Sequence, residues 1–318
     1  MAGKALAGSV TLSCGRRMAY QRWGNSSSNS NNRIICSHGW LDNSNSFSYL
    51  GPYLGAQGYD VIAIDYIGHG RSDHLPEGVN YSFPSYISHL KSFLDEIQWS
   101  SANVIGHSMG AGISMILSGI YPEMIQKCIL IDGFGPITTT AAKSPSLLRK
   151  AIEQENAYYK RSENDKKKVY DNVSKAIDAR VRNVSSYPGK QYLSREAATS
   201  LVTRGTQLVV DNNNNEDIDE NNPNPVVFRH DPRLFLPSYT YFSNEQILNF
   251  IDGITAKTLL IQGKDGWPVD SQDLHDRKEH FKQKGLLSHL TLPGSHHLHI
   301  DPTSRVEVGI EILNFLKQ

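Results

Sequence analysis

Apolar positions along this chain switch repeatedly between two periods, and the switching predicts the architecture. Short apolar runs bounded by turn-forming residues recur at 33–37, 59–65, 103–105, 127–132, 258–262 and 286–292, and read as buried strands. Between them the period lengthens. Tyr86, Ile87, Leu90, Phe93, Leu94 and Ile97 fall on one helical face, as do Ile113, Ile116, Leu117 and Ile120. Near the end Val306, Ile310, Leu313 and Leu316 do the same within a closing helix at 303–316. Shorter helical stretches are expected at 47–54, 244–251 and 271–282. Strands alternating with amphipathic helices imply an α/β fold, a mostly parallel central sheet with helices on both faces. At the front, runs at 10–14 and 18–23 flank Gly15-Arg16 and predict an opening β-hairpin.

This rhythm stops at about residue 134 and resumes after 237. The interval is charge-rich between 144 and 182, with helix-like segments at 147–159 and 166–181. An Asn/Asp/Glu/Pro tract at 211–225 has too few apolar residues to bury and is expected to be disordered. A polar run at 25–32 is expected as a loose hairpin-end loop. The expected organisation is a core of residues 1–134 and 238–318, interrupted by an inserted helical cap at 135–237.

Chemistry is concentrated where strands end. Gly106-His107-Ser108-Met109-Gly110 fits the G-x-S-x-G pattern, with a strand before it and a helical period after it. Glycines on either side let backbone and helix approach closely at a sharp turn, which raises the serine to the sheet edge at a helix N-terminus. Ser108 is therefore a candidate nucleophile, and a serine needs an adjacent base oriented by a carboxylate. Two downstream loops supply candidates. Gly263-Lys264-Asp265-Gly266-Trp267 leaves one strand and presents Asp265, and Ser295-His296-His297-Leu298-His299 leaves the last and presents three histidines. The order serine, acid, histidine suits this topology.

With these motifs, from His38-Gly39-Trp40 through Gly68-His69-Gly70-Arg71-Ser72 to the last histidine loop, the chain resembles α/β-hydrolase-fold enzymes, and among them serine hydrolase-like proteins. The resemblance implies Ser108 as nucleophile, Asp265 as acid and His296 as base. It also implies an oxyanion hole made by the backbone N–H groups of Met109 and Trp40. Asp132, at the end of the strand after the nucleophile, is the alternative acid, and His297 the alternative base. The oxyanion motif continues Leu41-Asp42 where the family more often has proline, and the acid loop is one residue shorter than usual. His299, His38 and His69 are expected as hydrogen-bonders, and Asp65 as a brace for the Gly68–Ser72 loop.

The expected activity is hydrolysis of an ester-like acyl bond of a small molecule through an acyl-enzyme, with no cofactor. Ser108 argues against dehalogenase and epoxide-hydrolase chemistry, which use aspartate there. Carbon–carbon bond hydrolysis, or a slow-turnover binding or sensor protein on the same fold, are the alternatives. Three clustered histidines raise a metal site, but no separated thiol or carboxylate partner is evident in the sequence. Lys+Arg and Asp+Glu balance at 32 each, which gives no charge basis for a nucleic-acid or membrane-surface partner. No feature sets an oligomeric state. No apolar run reaches membrane-spanning length, and neither an apolar signal core nor a peroxisomal tripeptide is seen at the ends. Cys14, Cys36 and Cys128 are too scattered for a disulfide framework, so a reducing, cytoplasmic setting is expected.

Overall fold

The computed structural model describes residues 5–24, 30–161, 167–210, 217–267 and 271–318. Its strands are β1 (Leu6–Thr11), β2 (Arg17–Trp23), β3 (Arg33–Ser37), β4 (Asp60–Ile64), β5 (Ala102–His107) and β6 (Ile125–Ile131). After them come β7 (Val169–Tyr170), β8 (Thr206–Leu208), β9 (Val226–Phe228), β10 (Lys257–Asp265) and β11 (Leu287–Ser295). The helices are α1 (Leu50–Ala56), α2 (Phe83–Glu96), α3 (Met109–Ile120), α4 (Ser144–Tyr159), α5 (Val173–Val184), α6 (Arg195–Gly205), α7 (Asn244–Gly253), α8 (Gln272–Gln283) and α9 (Arg305–Lys317).

Eight strands form one sheet in the order β1-β2-β4-β3-β5-β6-β10-β11. The β1–β2 and β2–β4 pairs are antiparallel, and the pairs from β4 to β11 are parallel. The central strands are apolar at consecutive positions because both faces are covered. Ile35, Val104, Leu130 and Leu260 face the cluster built with α2, α3 and α7. Ile34, Ile105, Ile131 and Ile261, one residue away in each strand, face the cluster built with α1 and α9. The carboxyl ends of β5, β6, β10 and β11 thus lie side by side at one edge, where such sheets gather their chemistry.

Three local expectations shift. The hairpin's first strand is Leu6–Thr11, and its turn covers 12–16, closed by the N–H of Leu12 donating to the Arg16 carbonyl (2.9 Å). The helix expected at 166–181 begins at Val173, where the Asn172 side chain accepts from the Lys175 N–H (3.0 Å) and caps it. Just before it, β7 pairs with β9, and β9 with β8, so the insert carries a small antiparallel sheet among its helices. Its apolar cluster, with Val173, Ile177, Ala198, Leu201 and Val226, is separate from those of the main sheet.

Of the tract at 211–225, residues 211–216 lie outside the described residues, as do 25–29 of the polar run. Ile218 is buried in the insert's cluster and its N–H donates to the Thr203 carbonyl (2.9 Å). Asp217 accepts from Arg71, and from Asn45 Nδ2 at 3.0 Å. One apolar anchor and one carboxylate facing arginines hold a stretch whose composition is otherwise that of a loop. Among the described residues no helix is long and apolar enough to cross a membrane.

A buried ion pair ties the insert to the sheet. Arg204 on α6 reaches Asp65, just past β4, through Nη2 (2.8 Å) and Nε (3.1 Å). Asp65 also accepts from the N–H groups of Ser44 (2.7 Å) and Arg71 (2.9 Å), so it does brace the 68–72 loop. Burial pushes this carboxyl up, but the Arg204 charge and these hydrogen bonds outweigh it and bring it down to about 2 from 3.8. Arg204→Met, which leaves Asp65 buried without its countercharge, is expected to cost about 3–5 kcal/mol, read as a lower urea midpoint. The unfolded chain protonates Asp65 more readily than the native one, so the wild type loses this contribution as pH falls from about 4 to about 2. In the variant that acid step should shrink.

Candidate active site

The β5–α3 connection is a single residue. Ser108 has φ 53° and ψ −115°, a backbone region that side chains other than glycine rarely adopt. Its N–H donates to the Ile131 carbonyl (3.0 Å), and its carbonyl accepts from Ala111 N–H (3.0 Å), which pins the turn. The flanking glycines are steric requirements. A Cβ on Gly110 would lie 2.1 Å from the Ser37 carbonyl oxygen, and one on Gly106 would lie 2.4 Å from the Gly110 carbonyl oxygen. Strand and helix cross too closely there for any side chain.

Ser108 Oγ lies 2.8 Å from His296 Nε2, and His296 Nδ1 lies 2.6 Å from Asp132 Oδ2. Both ring nitrogens are therefore occupied, and Asp265 has none left to bind. The carboxylate that meets His296 is that of Asp132 and not that of Asp265, and the backbone around it gives the reason. Asp132 follows β6 directly, with φ 43°, and its carboxylate accepts from the N–H groups of Gly263 (2.9 Å) and Trp267 (2.8 Å). A Cβ on Gly266 would sit 2.2 Å from Asp132 Oδ1. The 263–267 loop thus acts as the socket for a carboxylate from the neighbouring strand, while Asp265 itself stays half-buried as the last residue of β10.

His297, the other candidate base, points elsewhere. Its Nε2 lies 3.1 Å from Asp42 Oδ2, and Asp42 Oδ1 accepts from Arg180 of α5 (2.6 Å). His299 Nε2 shares a hydrogen bond with Ser46 Oγ (2.7 Å). His107, beside Ser108, donates from Nε2 to the His296 carbonyl (2.9 Å), which ties the elbow to the last histidine loop. Burial lowers the pKa of His297, of His107 and of His299, the last to about 3, and keeps these rings neutral around the base. Asp42, His107 and His297 bring donor atoms within 4.8 Å of one another. Any cation there would face the Arg180 guanidinium on the same carboxylate, so the cluster works as a brace.

Sequence reading missed two residues of the insert. Gln191, buried, accepts at Oε1 from the His296 N–H (2.9 Å) and donates from Nε2 to the Gly266 carbonyl (2.6 Å). It joins the base loop to the loop that holds Asp132. Arg180 balances Asp42. Neither lies in a motif, and only their long-range contacts reveal them.

For the oxyanion donors, Met109 opens α3, so its N–H belongs to the group that helix geometry leaves without an intrahelical acceptor. Gly39 packs against Ser108, since a Cβ there would lie 3.2 Å from Ser108 Cβ. Trp40 follows in a turn closed by Asp42 N–H to the Gly39 carbonyl (3.2 Å), with Leu41 at φ 63°. The departure at Leu41-Asp42 is accommodated by that turn. The Trp40 indole donates to the Leu234 carbonyl (3.2 Å) and its ring meets Phe235.

Residues 32–303 match the family model described as the alpha/beta hydrolase fold, and the chain belongs to that family. A serine hydrolase-like protein of Dictyostelium discoideum is 30% identical over 317 residues, covering 97% of this chain and 80% of that protein. The solved structure of a hypothetical protein from Pseudomonas aeruginosa PAO1 is similar with TM-score 0.82 and 29% identity, over 99% of this chain and 100% of that one. A thioesterase domain from the curacin biosynthetic pathway shares the fold with TM-score 0.75 at 22% identity, over 98% and 100% of the two chains.

The buried histidines make stability pH-dependent in a definite sense. His299 has a lower pKa in the native state than the 6.5 of a free imidazole, so the unfolded chain takes up its proton first as pH falls. Its contribution is full above 6.5 and is lost as pH drops toward about 3. The slope reaches about 1.4 kcal/mol per pH unit for each such group. His299→Gln should flatten the decline of the urea midpoint between pH 6 and 4, roughly by that slope.

Proposed function

We propose that the protein is a serine hydrolase that cleaves an ester-like acyl bond of a small molecule through an acyl-enzyme. The observation that carries this is the unbroken chain from Ser108 Oγ to His296 to Asp132, at 2.8 and 2.6 Å. In this reading Ser108 Oγ attacks the acyl carbon while its proton passes to His296 Nε2. Asp132, accepting from Nδ1–H, fixes the tautomer and balances the imidazolium. The Met109 and Trp40 N–H groups take the developing oxyanion, and such donors each contribute roughly 3–4 kcal/mol to the barrier elsewhere. The tetrahedral species collapses as the C–O bond to the alcohol breaks and that oxygen receives the proton from His296. A water, deprotonated by the same nitrogen, then attacks the acyl carbon, and the carboxylic acid leaves Ser108 Oγ, which recovers its proton.

Residues 135–237 serve as the cap over this site, a role supported by Gln191 and Arg180, which reach its two loops from the insert. The free cysteines, with Cys36 and Cys128 buried, fit a cytoplasmic setting.

Release of p-nitrophenol from acetate and butyrate esters tests the assignment. Ser108→Ala and His296→Ala should each lose on the order of 10⁴–10⁶ in kcat, and Asp132→Asn about 10⁴. Asp265→Asn should stay within about threefold of wild type, because no nitrogen of the base is free to meet it. A collapse in Asp265→Asn with an active Asp132→Asn would overturn the assignment of the acid. Gln191→Ala should lower kcat about tenfold with the fold retained, by loosening the base loop.

A further inference from the structure

Two histidines of the last loop bind a stretch of chain that carries neither Ser108, His296 nor Asp132. His297 Nε2 lies 3.1 Å from Asp42 Oδ2, and two residues on, His299 Nε2 lies 2.7 Å from Ser46 Oγ. Both partners belong to residues 39–46, which open with the turn around Trp40, closed by Asp42 N–H to the Gly39 carbonyl (3.2 Å). The insert grips the same stretch. Asp42 Oδ1 accepts from Arg180 (2.6 Å), Asn43 Nδ2 donates to the Leu201 carbonyl (2.8 Å), and Asn45 Nδ2 donates to the Ser200 carbonyl (2.7 Å). The buried Asp42 carboxylate is thus held by the insert on one oxygen and by the histidine loop on the other.

The carboxylate fixes the tautomer of its partner. It can only accept, so the proton of a neutral His297 ring sits on Nε2. Arg180 Nη2 lies 3.4 Å from the same nitrogen, but the carboxylate is closer. Nδ1 is left without a hydrogen-bond partner among the described residues. Burial keeps the ring neutral. Neutrality suits the place, because the His297 ring stands edge-on to His296 with centres 5.3 Å apart, and a positive charge there would oppose the imidazolium that forms on the base.

What the contact does follows from what the reaction has to align. The base and the oxyanion donors act on one acyl group, and a donor is effective only within about 3 Å of the oxygen that becomes charged. His296 is set by Ser108 and Asp132, whereas the Trp40 N–H rides on a separate turn. Asp42 and His297 are 255 residues apart in the chain, so no local backbone constraint relates the two loops. We infer that His297 is a positioning residue: through Asp42 it holds the base loop in register with the turn that carries the Trp40 N–H, and Arg180 of the insert supplies the countercharge that keeps that carboxylate buried between them. The inference rests on the hydrolase reading and adds a residue to its working parts.

The test replaces His297 by two amides. A Gln amide N–H reaches the place of Nε2 and keeps the bond to Asp42, whereas an Asn amide reaches only the place of Nδ1. With p-nitrophenyl butyrate, His297→Asn should lose on the order of 10- to 100-fold in kcat with KM nearly unchanged, because binding stays and alignment is lost. The rate of fluorophosphonate labelling at Ser108 should fall in parallel. His297→Gln should recover most of both rates, which separates positioning from proton transfer, since glutamine has no basic nitrogen. His297→Leu fills the ring's volume without a donor. It should match the Asn variant and replaces it if that variant fails to fold, with urea midpoints showing that the assayed proteins are native. Asn and Leu variants within about threefold of wild type, a loss confined to KM, or a Gln variant as slow as the Asn variant overturn the inference and leave the hydrolase reading standing. If wild type is labelled but releases no p-nitrophenol, the labelling rates decide by the same criteria. Wild type that is neither active nor labelled defeats the hydrolase reading, and this inference with it.

Discussion

An imidazole has two nitrogens, and in this protein both nitrogens of His296 are committed, one to Ser108 and one to Asp132. The surrounding structure exists to keep that ring between two residues that come from adjacent strands. Both neighbours sit at positive φ, 53° for Ser108 and 43° for Asp132, so the ends of β5 and β6 are bent away from strand geometry where they meet the ring. Such backbone persists only where its surroundings over-determine it. Here glycines admit the close crossing at the elbow, and the 263–267 loop closes its N–H groups around Asp132.

The second dependence is on the insert. Residues of the insert reach into the sheet's loops, among them Arg180 to Asp42, Gln191 to His296 and Gly266, and Arg204 to Asp65. Two of these contacts are buried ion pairs, whose net contribution to stability is small compared with the cost of losing one partner. They are therefore better at fixing where the insert sits than at adding stability. A segment with its own apolar cluster is thereby registered against the base loop by charge and hydrogen bonding.

Much of this was legible in the chain. Paired burial on both sheet faces made the central strands visible as apolar runs, and helical periodicity located α2, α3 and α9 to within a few residues. The elbow was legible because a one-residue reversal between strand and helix demands glycines at fixed places. What misled was proximity in sequence to a familiar loop. Asp265 stands in the loop that usually presents the acid, but that loop's backbone faces a carboxylate one strand away.

By itself, then, the sequence determined the α/β layering, the place of Ser108 at a strand–helix turn and the loop that carries the histidines, because each follows from periodicity or from the sterics of contiguous residues. Which carboxylate meets His296, which histidine turns toward Ser108, and which insert residues brace them were decided only by the tertiary structure. Those choices depend on β6 lying beside β10 in the sheet and on contacts spanning a hundred residues or more, such as Gln191 with His296. Distances of that kind have no local signature, because they are set when the sheet closes and the insert docks.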